Sequence, residues 1–121
     1  FRVAEDADIS WRIAQKGYSI EYQPGATVFH HHRSTVLGLF HQAIDYGHDG
    51  VHVYLHHFPE TNGWFWWGLY YRLCMAILLL PLSPFRGSKL NRSLPFLDVV
   101  RYSGLVLGRL SAAVKFRKLI L

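Results

Sequence analysis

The sequence predicts an α/β chain, with a helix and two short strands followed by a mainly helical second half. Three observations carry this expectation. "EDADISWRIAQKG" has helical spacing and a glycine stop, "YSIEY" and "ATVFH" read as short extended runs around Pro24 and Gly25, and the apolar residues after Ser34 return to a helical period. At 121 residues, with no initiator Met or signal-like segment ahead of its first motif, the chain reads as the later part of a longer protein.

The first helix is expected over residues 6–16. Acids occupy its first turn, Asp8 and Arg12 are spaced for an i,i+4 ion pair, Lys16 falls in the last turn and Gly17 ends it. Ile9 and Ile13 share one face and Trp11 lies on another. Residues 18–22 alternate apolar and polar side chains as a half-buried strand does, Pro24 and Gly25 make a turn, and residues 26–30 form a second strand. Consecutive strand residues face opposite ways, so His30 and His32 share one side and His31 takes the other.

From Ser34 a helix is expected, capped by Ser34 or Thr35, with Val36, Leu37, Phe40 and Ile44 as its apolar stripe. Gly47 and Gly50 interrupt it, and residues 51–58 form another helical piece that ends near Pro59. Residues 64–82, "WFWWGLYYRLCMAILLLPL", are apolar and aromatic. A basic, turn-rich linker with Arg86, Lys89 and Arg92 precedes a last helix over about 95–118. On that helix Asp98, Arg101, Arg109 and Lys115 fall to one side, with Leu105, Val106 and Leu110 away from them.

The net charge is +5, but the acids lie mostly in the first half and the bases mostly after Arg72, which favours an anionic surface as partner. No nucleic-acid recognition motif is present, so no nucleic-acid partner is expected. Cys74 stands alone, which rules out an internal disulfide and suits a reducing compartment. Four tryptophans, three of them at Trp64, Trp66 and Trp67, point to an interface. As a helix the 19 residues 64–82 would reach roughly 28 Å, close to the thickness of bilayer hydrocarbon. Arg72 costs about +2.5 to +3.5 kcal/mol at a bilayer centre, while about eight Leu, Ile and Phe return some −0.3 to −0.6 each, so the balance is near zero. Pro81, the tryptophans and the basic flank suit a helix pair lying in or dipping into the membrane interface.

Two clusters invite chemistry. Glu5, Asp6 and Asp8 fit helix-dipole and capping use, the commoner role of such acids, or a general base with a substrate anchor. His30, His31, His32 and Arg33 serve as a solvated loop or as ligands to a divalent ion completed by carboxylates from elsewhere. Residue types alone leave both pairs of readings open.

Taken in order, "EDADISWRIAQKGY", "IEYQPGATVFHHHRST" and "QAIDYG" resemble the C-terminal part of the catalytic domain of family 2 glycosyltransferases, inverting enzymes with a GT-A, Rossmann-like fold. The resemblance covers about residues 3–47. It implies that residues 1–58 end a GT-A catalytic domain and that residues 59–121 form a helical, aromatic and basic membrane-associating region. It further implies that Asp6 is the catalytic base and Glu5 its acceptor-side neighbour. His30 would be the metal-associated histidine, and His32 and Arg33 would lie beside the nucleotide diphosphate. Trp11 would stand near the substrate while packing the motif helix with Asp8 and Arg12. The implied cofactor is a divalent metal, Mg or Mn, with its other ligands in an N-terminal half.

The implied partners are a nucleotide-sugar donor, a glycan or lipid-linked acceptor and a membrane surface, at the cytoplasmic face of the cell membrane. Gln42 is followed by "AIDYG" and not by the Q-x-x-R-W of processive polysaccharide synthases, which favours one sugar per encounter. The expected function is sugar transfer with inversion in envelope or exopolysaccharide synthesis, with this stretch inactive by itself. The alternatives are a noncatalytic peripheral membrane-binding module and a histidine-based metal-binding protein.

Overall fold

A computed structural model describes residues 3–29, 31, 33–60, 67–85 and 87–116. Its regular elements are α1 (Glu5–Gln15), α2 (Val36–His57), α3 (Trp67–Leu79), a 3-10 segment (Leu80–Phe85) and α4 (Lys89–Phe116). Helix α1 begins after Ala4, whose φ of 72° is left-handed, and closes on Gly17 at φ 82°. A side chain at positive φ costs on the order of 1–2 kcal/mol. The turn at Ala4 is held from both sides: the Ala4 carbonyl accepts the Asp8 N–H at 3.0 Å, and the Val3 N–H donates to Asp49 Oδ2 of α2 at 3.1 Å.

The expected α/β fold is overturned, because the described residues contain no strand and the architecture is all-α. Residues 18–29 form no regular element around the anticipated Pro24–Gly25 turn, where the Ala26 N–H donates to the Gln23 carbonyl at 3.0 Å. Among the described residues no ladder joins them to another segment. Alternation marks a strand only where a neighbouring strand takes up the backbone hydrogen bonds and a layer covers one face. Here Tyr22, Val28 and Phe29 are 89%, 87% and 92% exposed. The Rossmann-like expectation fails with those strands.

Helix α2 runs unbroken through Gly47 and Gly50, joining the two expected pieces. Thr35 caps it, Oγ1 accepting the Gly38 N–H at 3.0 Å. Helix α4 begins earlier than expected. Ser88 caps it through Oγ, which accepts the Asn91 N–H at 3.1 Å, so Lys89 and Arg92 belong to a helix and not to a linker. Pro95 lies inside the helix near its start. Arg86, Trp64 and Trp66 lie outside the described residues.

The tertiary structure is built around α2 against α4, the most extensive helix pairing, with α3 laid more lightly on α4. Ala43, Gly47 and Val51 of α2 recur every fourth residue, and so do Gly104, Gly108 and Ala112 of α4. These small residues let the backbones touch. A methyl built on Gly47 would strike the Leu105 carbonyl, one on Gly108 the Ile44 carbonyl, and one on Gly104 would lie 2.8 Å from the Phe40 carbonyl. Val51 and Ala112 are buried at the centre, with Tyr54, Leu55 and Phe116 packed around them. Helix α3 buries only Leu69 and Ala76, and leaves Ile77 and Leu78 more than half exposed.

Candidate functional site

Helix α1 reaches α2 through one polar and aromatic seam. Asp8 supplies its centre, Oδ1 to His57 Nε2 at 2.8 Å and Oδ2 to Arg12 Nε at 2.9 Å, so the i,i+4 pair anticipated from spacing does form. Gln15 Nε2 stands 3.1 Å from His57 Nδ1. With Gln15 donating there, the His57 proton sits on Nε2 and points at Asp8. The His57 hydrogen bond is the largest influence on Asp8 and holds its carboxyl below the ordinary value of 3.8; Arg12 adds to it and burial opposes it. Trp11 fills the rest of the seam, with ring centroids 5.1 Å from His57, 5.2 Å from Phe58 and 6.4 Å from Tyr54, all edge to face.

One turn earlier, Glu5 and Asp6 are exposed on the first turn of α1. Asp6 Oδ1 accepts the Ala7 N–H at 2.9 Å, and the Ser10 hydroxyl donates to the Asp6 carbonyl at 2.7 Å. The other expected site residues are scattered. Trp11 is half-buried in the seam and Arg33 is exposed ahead of α2. His30 and His32 lie outside the described residues. Among the described residues no ion pair or hydrogen bond joins Arg33 to Glu5 or Asp6. His57, the pivot of the seam, was not anticipated: "LHHFPE" carries no local pattern, and its partner Asp8 is 49 residues away.

A second polar cluster lines a cleft of about 520 Å³ between α2 and α4, with Asp45, His48, Asp49, His52, Ser111 and Lys115 on its walls. His48 Nδ1 lies 2.9 Å from Asp49 Oδ1, and the other Asp49 oxygen holds the Val3 N–H. His52 stacks on Phe116 at 4.7 Å; burial, and then Lys115, push its pKa below the usual imidazole value. This cluster fastens the start of α1 to the α2–α4 pair.

Of the ligands that the resemblance implies for a divalent ion, His30 lies outside the described residues, and the described residues bring together one other group of donors. Asp8, His56 and His57 bring three donor atoms within 4.8 Å of one another. Two imidazoles and one carboxylate are a softer, nitrogen-rich set, whereas Mg demands oxygen ligands. Asp8 and His57 are also bonded to each other and to Arg12 and Gln15. No step of the reaction proposed below passes through a metal.

Compared with protein-family models, curated proteins and solved structures, the chain matches none.

Proposed function

We propose that this chain carries the acceptor-activating part of an inverting sugar transferase that uses a nucleotide-sugar donor beside a membrane surface, with Asp6 as the general base and Glu5 at the acceptor. The observation behind this reading is the exposed Glu5–Asp6 pair on a helix turn whose next two turns are fastened to α2 by Asp8, Trp11 and Gln15. A carboxylate that must meet an incoming hydroxyl needs an open face and a fixed backbone, and this pair has both. The motif resemblance adds the reaction class.

In such a transfer the acceptor oxygen attacks the anomeric carbon as its proton passes to Asp6. The carbon–oxygen bond to the nucleoside diphosphate breaks on the opposite face, and the diphosphate leaves with the bonding electrons. By the same resemblance His30, His32 and Arg33 stand on the donor side, where Arg33 offsets diphosphate charge. The acceptor is a glycan or lipid-linked hydroxyl of envelope or exopolysaccharide synthesis, at the cytoplasmic face of the membrane.

The test is turnover of nucleotide sugars by the full-length natural protein that contains this sequence. Asp6→Asn keeps size and most hydrogen bonding but loses proton affinity, and is expected to lower turnover by ~10² to 10⁴-fold at saturating donor. Near-parental turnover in Asp6→Asn together with a dead Asp8→Asn would move the base to Asp8. A second reading, a noncatalytic peripheral membrane module, is favoured by α3 and the 3-10 segment. Residues Trp67–Phe85 are 19 in number, long and apolar enough to cross a membrane, and largely unburied. Vesicle binding without any donor turnover by the full-length protein selects that reading.

A further inference from the structure

The seam between α1 and α2 ends in three side chains with metal-binding donors. His56 and His57 are the last two residues of α2, their rings 5.1 Å apart and nearly perpendicular, and Asp8 comes to them from the first turn of α1. One donor atom from each lies within 4.8 Å of the others.

Asp8 and His57 have partners already, and a metal ion can keep all of them. The two side chains hold one proton between them, on His57 Nε2, which stands 2.8 Å from Asp8 Oδ1. A metal ion takes the place of that proton. Arg12 retains Asp8 Oδ2 at 2.9 Å, so the carboxylate binds through Oδ1 alone, and Gln15 stays beside the far nitrogen of His57 at 3.1 Å. With the metal on Nε2, the imidazole loses that proton to solvent and takes one on Nδ1. Gln15 then turns its amide over and accepts the Nδ1 proton with Oε1. Metal-bound histidines are held from behind in this way, which fixes both tautomer and ring orientation.

The surroundings also favour a cation. The His57 and Asp8 side chains are 3% and 13% exposed, so two ligands stand largely out of water, and the Trp11 ring packs 5.1 Å from that of His57. The carbonyls of the last turn of α2 present the negative end of the helix dipole. His56 is exposed, which leaves a fourth coordination position open to solvent. Donors around a tetrahedral zinc stand roughly 3.4 Å apart. The Asp8–His57 pair therefore opens slightly, and His56 closes in by turning its exposed side chain. Two imidazoles and one carboxylate with an open fourth position are a zinc donor set, whereas magnesium and calcium take oxygen ligands.

We infer that Asp8, His56 and His57 bind one zinc ion, which clips α1 to the end of α2. The clip is separate from the ion that the resemblance implies at His30 and is independent of sugar transfer.

The test is calorimetric titration of the full chain with zinc chloride and, separately, with magnesium chloride. Zinc is expected to bind, and magnesium is not at the same concentrations. His56→Gln changes an exposed position outside the Asp8–His57 hydrogen bond and should weaken zinc binding a hundredfold or more. Gln15→Ala removes only the outer support and should weaken it about 10- to 100-fold. The combined variant His30→Gln, His31→Gln, His32→Gln should keep the zinc of the clip. Nitrogen-15 resonances of the His57 ring should place its proton on Nε2 without zinc and on Nδ1 with it. At free zinc 100 times its Kd, amide exchange that requires release of α1 should slow roughly a hundredfold, since zinc binds the docked form. Circular dichroism checks that each variant retains its helices.

No zinc uptake, or equal uptake of magnesium, overturns the site. Parental zinc binding in His56→Gln, with binding lost in the combined variant, moves the zinc to residues 30–32. A His57 tautomer unchanged by zinc overturns His57 as a ligand. Bound zinc that leaves exchange in α1 unchanged overturns the clip.

Discussion

Asp8 shows how neighbouring acids on one helix turn come to different uses. Its two oxygens are committed to His57 and Arg12, whereas Asp6, two residues earlier, turns to solvent. Asp8→Asn therefore acts on docking. Because His57, then Arg12, hold the folded carboxyl below 3.8, the docked state gains from the ionised form. That gain is complete above the unfolded value and is lost as pH falls through the lower folded one. Acidification below pH 3.8 is expected to release α1 from α2, read from the Trp11 indole resonance, and Asp8→Asn should remove this acid step. An unchanged acid transition in Asp8→Asn would show that the seam is held by something else. Trp11→Ala should raise hydrogen exchange in α1 while leaving α2 and α4 protected, since each edge-to-face pair it loses is worth about 0.5–1.5 kcal/mol.

At the scale of elements, the glycines of α2 and α4 divide by what surrounds them. Gly50 has open space where a methyl would go, whereas Gly108 of α4 presses on the α2 backbone. Gly50→Ala should raise stability by roughly 0.5–1 kcal/mol, the usual gain for replacing glycine inside a helix. Gly108→Ala must push two backbones apart and should cost about 1–3 kcal/mol, or more if the pair cannot yield. Thermal denaturation of the two variants checks both signs. Equal effects would mean that α2 and α4 do not meet at their small residues. The every-fourth spacing of Gly104, Gly108 and Ala112 was present in the sequence as a signal of close helix approach.

For the molecule as a whole, the division at residue 58 is crossed by its main packing, since α2 lies before it and α4 after it. Removing everything past residue 58 would therefore take away the partner of α2 along with any membrane contact. Substitution on the open face of α3 separates the two effects. Leu78 is 65% exposed, so Leu78→Glu should leave the fold intact yet weaken vesicle partitioning tenfold or more, given about 1.5–3 kcal/mol for burying one leucine. Partitioning that is unchanged in Leu78→Glu would remove α3 as the membrane contact.

Local signals were legible in the sequence alone. They include the acids and Gly17 that bound α1, the Asp8–Arg12 pair, the Thr35 cap, the Pro24–Gly25 turn and the apolar run through α3, because each rests on residues within a few positions of one another. The tertiary structure decided what those elements meet. Residues 18–29 carry the alternation of a strand, but pairing depends on a neighbour and none is present among the described residues, so they stay irregular and exposed. His57 finds Asp8 across 49 residues. Spacing on one helix is a property of the chain, whereas a contact between helices depends on which faces the whole molecule can bury together.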